Sequence, residues 1–201
     1  MLIYKPLSST LNVGGRRLSL SLSFDRVLQV CDAWADEDLT DEEKETITLD
    51  LLIRKGRERR WLAQQDAETR GAAITSLFKD YIDTEPHRAN KGPKAFDLKQ
   101  DGEFVYAAFR QTYGIDLFAE LGRMDWREFS ALLAGLPNGT RLSEIIEIRT
   151  KPIPKADKYN QKERKALIEA KFYFRLKPDK PVNLQDKLAN LFDDLATWAK
   201  S

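Results

Sequence analysis

The chain has 201 residues, of which 42% are apolar and 10% aromatic, so it can fill the core of one domain or of two small ones. Its 33 basic and 32 acidic residues nearly cancel, which excludes a global field that would attract nucleic acid or an anionic membrane. With no apolar run near the roughly 20 residues that span a bilayer, no signal-peptide pattern and a single Cys31, the sequence predicts an intracellular protein without an internal disulfide.

The first residues predict a short β-hairpin. Gly14-Gly15 is a turn signal, and the residues after it alternate between apolar and serine side chains with the period of a half-buried strand. The apolar positions are Leu18, Leu20, Leu22 and Phe24. Asp25 is predicted to cap a helix that extends to about Ala35.

An acidic run and a basic run flank the next predicted helix. Residues 36–45 contain seven carboxylates, and Thr40 with Glu43 forms a capping-box pattern at the helix start. The helix is expected to end near Ile53, before five positive charges between Arg54 and Arg60. Both runs complement the helix dipole, and the acidic run lacks the ligand spacing of a calcium loop. We therefore interpret the acidic run as helix capping rather than as a metal site. The basic run has two interpretations, a solvated helix end or a surface that meets phosphate or an acidic partner.

A further helix is predicted from Glu58 to Ile82, followed by a polar segment rich in proline and glycine. This segment suggests three regions. Residues 1–85 carry the hairpin and the first helices, residues 86–95 form a linker or loop, and residues 96–201 form a second helical region. The fold class is mainly α, with a short N-terminal β-hairpin.

The second region reads as a series of helices. One is expected to start at Asp101 and end at Gly114, a short helical segment to follow as far as Gly122, and another helix to begin at Asp125. Residues 158–176 favour a helix, although alternating aromatics near their end leave a terminal strand open.

The clearest amphipathic pattern lies near the C-terminus. Apolar residues recur there at spacings of four and three: Leu184, Leu188, Leu191, Leu195 and Trp198. This stripe has two interpretations. It packs on its own domain, or it docks with a partner, and we treat it as the candidate partner-binding surface.

Catalytic chemistry is hard to find in the sequence. His87 is the only histidine, and it lies in a loop-like stretch without a second histidine or a cysteine at metal-ligand spacing. Cys31 lies on an apolar helical face without a nearby base. The helices around Pro137 superficially suggest a helix-turn-helix, but the second offers isoleucine and leucine where base-reading side chains would be needed. We predict a nonenzymatic protein without metal or cofactor.

The segment from Asp101 to Thr150 resembles a known family. Its motifs are Phe104-Val105-Tyr106-Ala107-Ala108-Phe109, Tyr113-Gly114-Ile115-Asp116-Leu117, Asp125-Trp126-Arg127-Glu128-Phe129, Leu132-Leu133-Ala134-Gly135-Leu136 and Ile145-Ile146-Glu147-Ile148-Arg149-Thr150. In this order and spacing they resemble the phage gene-product-fifteen family of siphophages. The resemblance looks strongest over about 55 residues. It extends more loosely to the early Leu/Phe strand and to the helix start at Asp41-Glu42-Glu43-Lys44, and it fades after Pro154.

The resemblance implies a tail assembly chaperone that binds the phage tape-measure protein and keeps it soluble during tail assembly. It also leaves open binding to the tail-tube protein and self-association, and it implies the host cytoplasm as location, with absence from the mature virion. Two alternatives remain: a structural tail component of the virion, and a small nucleic-acid-binding regulator. The family-motif residues Tyr113, Asp116, Trp126, Phe129 and Arg149 are expected to be structural.

Overall fold

The computed structural model describes residues 6–82 and 95–177, and these residues are mainly helical with one two-stranded antiparallel sheet. The predicted fold class is therefore confirmed. The elements are β1 (Thr10–Val13), β2 (Arg16–Ser19), α1 (Phe24–Ala35), α2 (Asp41–Leu52), α3 (Gly56–Ala63), α4 (Ala67–Leu77), a π-helical turn (Phe78–Ile82), α5 (Gly102–Tyr113), α6 (Trp126–Ala134), α7 (Arg141–Thr150) and α8 (Gln161–Tyr173).

The hairpin forms where the sequence predicted it. Strands β1 and β2 pair with Val13 opposite Arg16, so Gly14 and Gly15 alone make the turn. Their φ angles of 54° and 75° lie in the left-handed region that a two-residue hairpin turn needs and that glycine adopts without strain. The predicted alternation also holds, because the leucines that follow the turn are buried: Leu18, Leu20 and Leu22.

Helix starts follow local capping with one correction. Thr40 and Glu43 form the predicted capping box of α2, and Asp125 caps α6 through the Arg127 amide at 2.9 Å. Asp25 does not cap α1. The helix begins one residue earlier, after Ser23, and the Asp25 carboxylate instead accepts the Gly122 amide at 2.9 Å.

The predicted helix from Glu58 to Ile82 is wrong as one element. It breaks at residues 64–66, where the Asp66 carboxylate accepts the Thr69 amide at 2.7 Å and starts α4. The side-chain cap at Asp66 therefore starts a new helix, although the apolar pattern of the sequence continues through this region. Gly71, the glycine inside the predicted helix, lies within α4 and does not interrupt it.

The short helical segment predicted before Gly122 is also wrong. Residues 116–124 form successive turns, such as Ala119 amide to Asp116 carbonyl at 3.0 Å, and no α-helix. Gly114 ends α5 as predicted, with a φ of 70°. The helix predicted within residues 158–176 is confirmed as α8, and the terminal strand left open as an alternative does not form among the described residues up to 177.

Packing divides the described chain into two compact units. The first comprises residues 6–82 and 105–140, and the second comprises residues 95–104 and 141–177, so the boundary crosses α5. Residues 105–140 join the N-terminal region because Trp126 donates its amide to the Leu22 carbonyl at 2.7 Å and Phe24 donates to Met124 at 3.0 Å. The units do not coincide with the predicted regions 1–85 and 96–201. The predicted linker at 86–95 lies outside the described residues except for Ala95.

Two apolar clusters form the core of the first unit. One joins the hairpin to α2, α3 and α4 through residues such as Leu18, Leu62 and Leu77, and the other joins Val27 and Val30 of α1 to neighbouring segments. The first cluster holds the hairpin through Leu11, Val13 and Leu18, and the exposed side of the hairpin carries Arg16 and Arg17. None of the helices in the described ranges combines the length and apolarity of a membrane span.

Candidate functional site

The family-motif aromatics form a ring stack in the first unit. Phe129, 1% exposed, lies between Phe24 and Phe109, with ring centroids 4.8 Å and 5.2 Å apart and interplanar angles of 10° and 17°. Trp126 adds a fourth ring at 5.7 Å and donates its indole N–H to the Ile82 carbonyl at 3.0 Å. These contacts join three helices and give Trp126 and Phe129 a packing role.

Tyr113 and Asp116 fix the chain after α5. The Tyr113 hydroxyl donates to the Leu132 carbonyl at 2.9 Å, and its ring makes an edge contact with Phe109. The Asp116 carboxylate accepts the Phe118 amide at 3.1 Å and so holds a turn. These contacts hold the backbone, and they do not direct either side chain toward a binding site.

Arg149 organises the second unit. Its guanidinium donates two hydrogen bonds to the Asp101 carboxylate, at 2.7 Å and 2.8 Å, and further ones to the carbonyls of Ala95 and Phe174 at 3.0 Å and 2.6 Å. The Asp101 side chain is 1% exposed. A buried charge pair with every oxygen engaged connects α7, the start of α5 and the end of α8.

Among the described residues, these contacts do not bring together side chains in an arrangement typical of an active site. The described residues hold no group of three or more histidine, cysteine or acidic side chains that could bind a metal. The resolved pKa shifts belong to helix caps and packing. Backbone hydrogen bonds lower the pKa of Glu43 and Asp66 at their caps, and the Ser19 amide at 2.7 Å lowers the pKa of Glu58.

The exposed apolar side chains of the second unit concentrate on and near α8. No residue of α8 is fully buried; its inner positions, such as Leu167 and Lys171, are half-buried, and the Lys171 ammonium donates to the Arg149 carbonyl at 2.7 Å. Phe172 and Tyr173 are 65% and 79% exposed. We call the outward side chains Ile168, Phe172 and Tyr173 the α8 face.

The first unit has an apolar groove of about 460 Å³ between α1, α4 and the π-helical turn. It is lined by Trp34, Ile74, Thr75, Phe78 and Lys79. Trp34 is 37% exposed and donates its indole N–H to the Thr48 hydroxyl at 2.8 Å. The groove is therefore shaped by fixed side chains, but nothing in it suggests a reacting group.

Comparison with known proteins identifies the family. A family model described as Bacteriophage Gp15 protein matches residues 3–176. The chain belongs to the bacteriophage Gp15 family. No curated protein and no solved structure matches it.

The Gp15 match extends well beyond the predicted segment. It includes the hairpin, to which the resemblance was expected to extend only loosely, and α8, which lies after Pro154, where the resemblance was expected to fade. The candidate partner-binding stripe from Leu184 to Trp198 lies outside both the match and the described residues. His87 lies within the match but outside the described residues. The stripe remains a prediction.

Sequence reasoning missed the α8 face. The signal was present, because Ile168 and Phe172 are four residues apart and lie on one side of a helix, next to the half-buried side that carries Leu167 and Lys171. Residues 158–176 were predicted as a helix, and α8 confirms a helix there, but the alternation of Phe172 with Phe174 left a terminal strand open. The helical spacing of Ile168 and Phe172 was therefore not interpreted as an exposed face.

Proposed function

We propose that this bacteriophage protein is a tail assembly chaperone that binds the tape-measure protein and keeps it soluble, without catalysing a reaction. Membership of the Gp15 family supports the phage context. The observation that supports client binding is the α8 face, a set of large apolar side chains on a helix that buries none of its own residues. An extended helical client with an apolar stripe is a suitable ligand for such a surface.

The position of the α8 face favours it over the C-terminal stripe. The family match ends at residue 176, just after α8, and a function shared by the family is expected to use a surface within the match. The Arg149 guanidinium, which is paired with Asp101, donates to the Phe174 carbonyl and so holds the C-terminal end of α8. Phe172 and Tyr173 thus lie on a helix that is held in place by contacts with Arg149.

Co-expression with the tape-measure protein tests this proposal. We expect the soluble fraction of the client to rise and a complex to co-purify, because covering an apolar client removes its driving force for aggregation. Unchanged client solubility together with the absence of a complex would reject it. Mass spectrometry of purified virions provides the contrast, since a structural tail component would be found there and a chaperone would be absent.

A further inference from the structure

Three chain segments bring basic residues together beside one end of α2. The Arg54 amide donates to the Ser19 carbonyl at 2.8 Å, and the Ser21 amide donates to the Leu52 carbonyl at 2.8 Å. These bonds place β2 along the residues that link α2 to α3. The exposed basic residues of these segments form what we call the arginine surface: Arg16, Arg17, Arg54, Lys55, Arg57 and Arg60.

The acidic residues nearest to this surface are already engaged. Glu58 accepts the Ser19 amide and pairs with Lys55 at 3.4 Å, while Asp50 pairs with Arg59 at 3.7 Å. Within residues 6–82 and 95–177, Arg17, Arg54, Arg57 and Arg60 have no salt-bridge partner. The surface therefore presents uncompensated guanidinium groups, which suit planar carboxylates.

The surface offers no aromatic platform for nucleic-acid bases. Trp61 is its one aromatic residue, and the Arg16 guanidinium carbon lies 4.8 Å from the ring centroid of Trp61. A Cβ placed on Gly14 would lie 3.9 Å from the same ring, so the hairpin turn also closes over it. Because single-strand binding relies on open rings for stacking, this geometry favours an acidic protein segment as the partner.

An acidic segment of that kind lies at the other end of α2. Residues 36–45 carry seven carboxylates, and Asp36, Asp38, Asp41 and Glu42 are exposed. Helix α2 spans twelve residues, or about 18 Å at 1.5 Å per residue, and its rigidity keeps its two ends apart. The opposite charges of one molecule therefore cannot meet each other, although its net charge is only +1.

We propose that the arginine surface binds the acidic segment 36–45 of a second copy of this chain. Each molecule carries both halves of the contact, so two copies can close a two-fold dimer through two such contacts, or the pairing can continue head-to-tail from copy to copy. The contact is ionic and exposed, and salt therefore weakens it. It does not depend on the α8 face or on the proposed client.

Sedimentation velocity of the purified full chain tests the proposal. We expect reversible self-association at roughly 0.01 M ionic strength, where the Debye length is about 30 Å, and weaker association at roughly 0.15 M, where it is about 8 Å. Charge reversal in R17E/R54E/R57E is expected to raise the dissociation constant by at least about tenfold. The control K155E/K158E/K162E makes the same change in net charge on exposed lysines of the second unit and should associate like the wild type.

A complementary variant separates loss of contact from loss of fold. D38K/E42K should also fail to self-associate, yet its mixture with R17E/R54E/R57E should regain a complex, because each retains one half of the contact. Circular dichroism of each variant checks that it is folded. Three results would each overturn the proposal. The wild type is monomeric at every salt concentration, or it self-associates equally well in the charge-reversed variants. The third result is DNA binding that depends on the arginines, without self-association.

Discussion

At the scale of single residues, the buried carboxylate of Glu58 binds the hairpin. It is 5% exposed, and its pKa lies below the ordinary 4.5 chiefly because the Ser19 amide donates to it. A carboxyl with a lowered pKa stabilises the fold above its ordinary pKa, and this contribution is lost as the pH falls through the lowered value. The charged form is therefore the one that holds β2 against α3.

The substitution Glu58→Gln tests this linkage. We expect it to lower the free energy of unfolding by about 1.5–3 kcal/mol at neutral pH, as for a hydrogen bond to a charged group. The difference from the wild type should be constant above the ordinary pKa of 4.5 and should shrink at lower pH. Urea denaturation at a series of pH values measures it. A difference that grows toward acid would contradict this role.

Arg149 gives a second prediction at this scale. Arg149→Ala leaves the buried Asp101 carboxylate without its partner and is expected to destabilise the second unit by about 3–5 kcal/mol. Hydrogen exchange of the amides in residues 141–177 reports this loss. The double variant R149M/D101L removes both charges and should recover much of the protection, whereas equal losses in the two variants would show that charge pairing is not the cause.

At the scale of elements, the ring stack joins α6 to α1 and α5. Phe129→Ala removes the middle ring between Phe24 and Phe109 and is expected to cost about 3–5 kcal/mol of unfolding free energy. Phe118→Ala is the matched control, since Phe118 is 72% exposed and its loss should stay within about 0.5 kcal/mol. Thermal or chemical denaturation followed by tryptophan fluorescence distinguishes them. Similar costs for both would contradict the assigned stack.

The elements also show where sequence reasoning succeeds. The hairpin, the Thr40 capping box and the Asp125 cap are fixed by neighbouring residues, and each was predictable from a local pattern. The role of Asp25 and the helix break before Asp66 were not predictable from a local pattern. The use of Asp25 depends on the Gly122 amide 97 residues away, and the break depends on which of two local hydrogen-bonding patterns is more stable.

The candidate site shows the same division between local and distant information. The motif residues were expected to be structural, and the contacts of Phe129 and Arg149 give them packing roles, but their partners Phe24 and Asp101 come from other segments. The outward direction of Phe172 depends on which face of α8 meets α7. Such contacts are set by tertiary packing and have no counterpart in local periodicity.

At the scale of the whole molecule, two surfaces compete for the proposed client: the α8 face and the C-terminal stripe from Leu184 to Trp198. Substitutions in the full chain separate them. We expect Phe172→Ser to reduce recovery of the tape-measure protein more strongly than Leu188→Ser with Leu195→Ser, because only Phe172 lies within the family match. A larger effect of the leucine pair would place client binding on the stripe.

The most direct test of client binding is quantitative co-purification with the tape-measure protein. The wild type, Phe172→Ser and the control Phe118→Ser should be expressed at equal levels, since both substitutions remove one exposed phenylalanine. We predict that the wild type and Phe118→Ser recover the same amount of soluble client, and that Phe172→Ser recovers several-fold less, as expected when an aromatic anchor is lost from an interface. Failure of the wild type to recover any client would contradict the chaperone function itself.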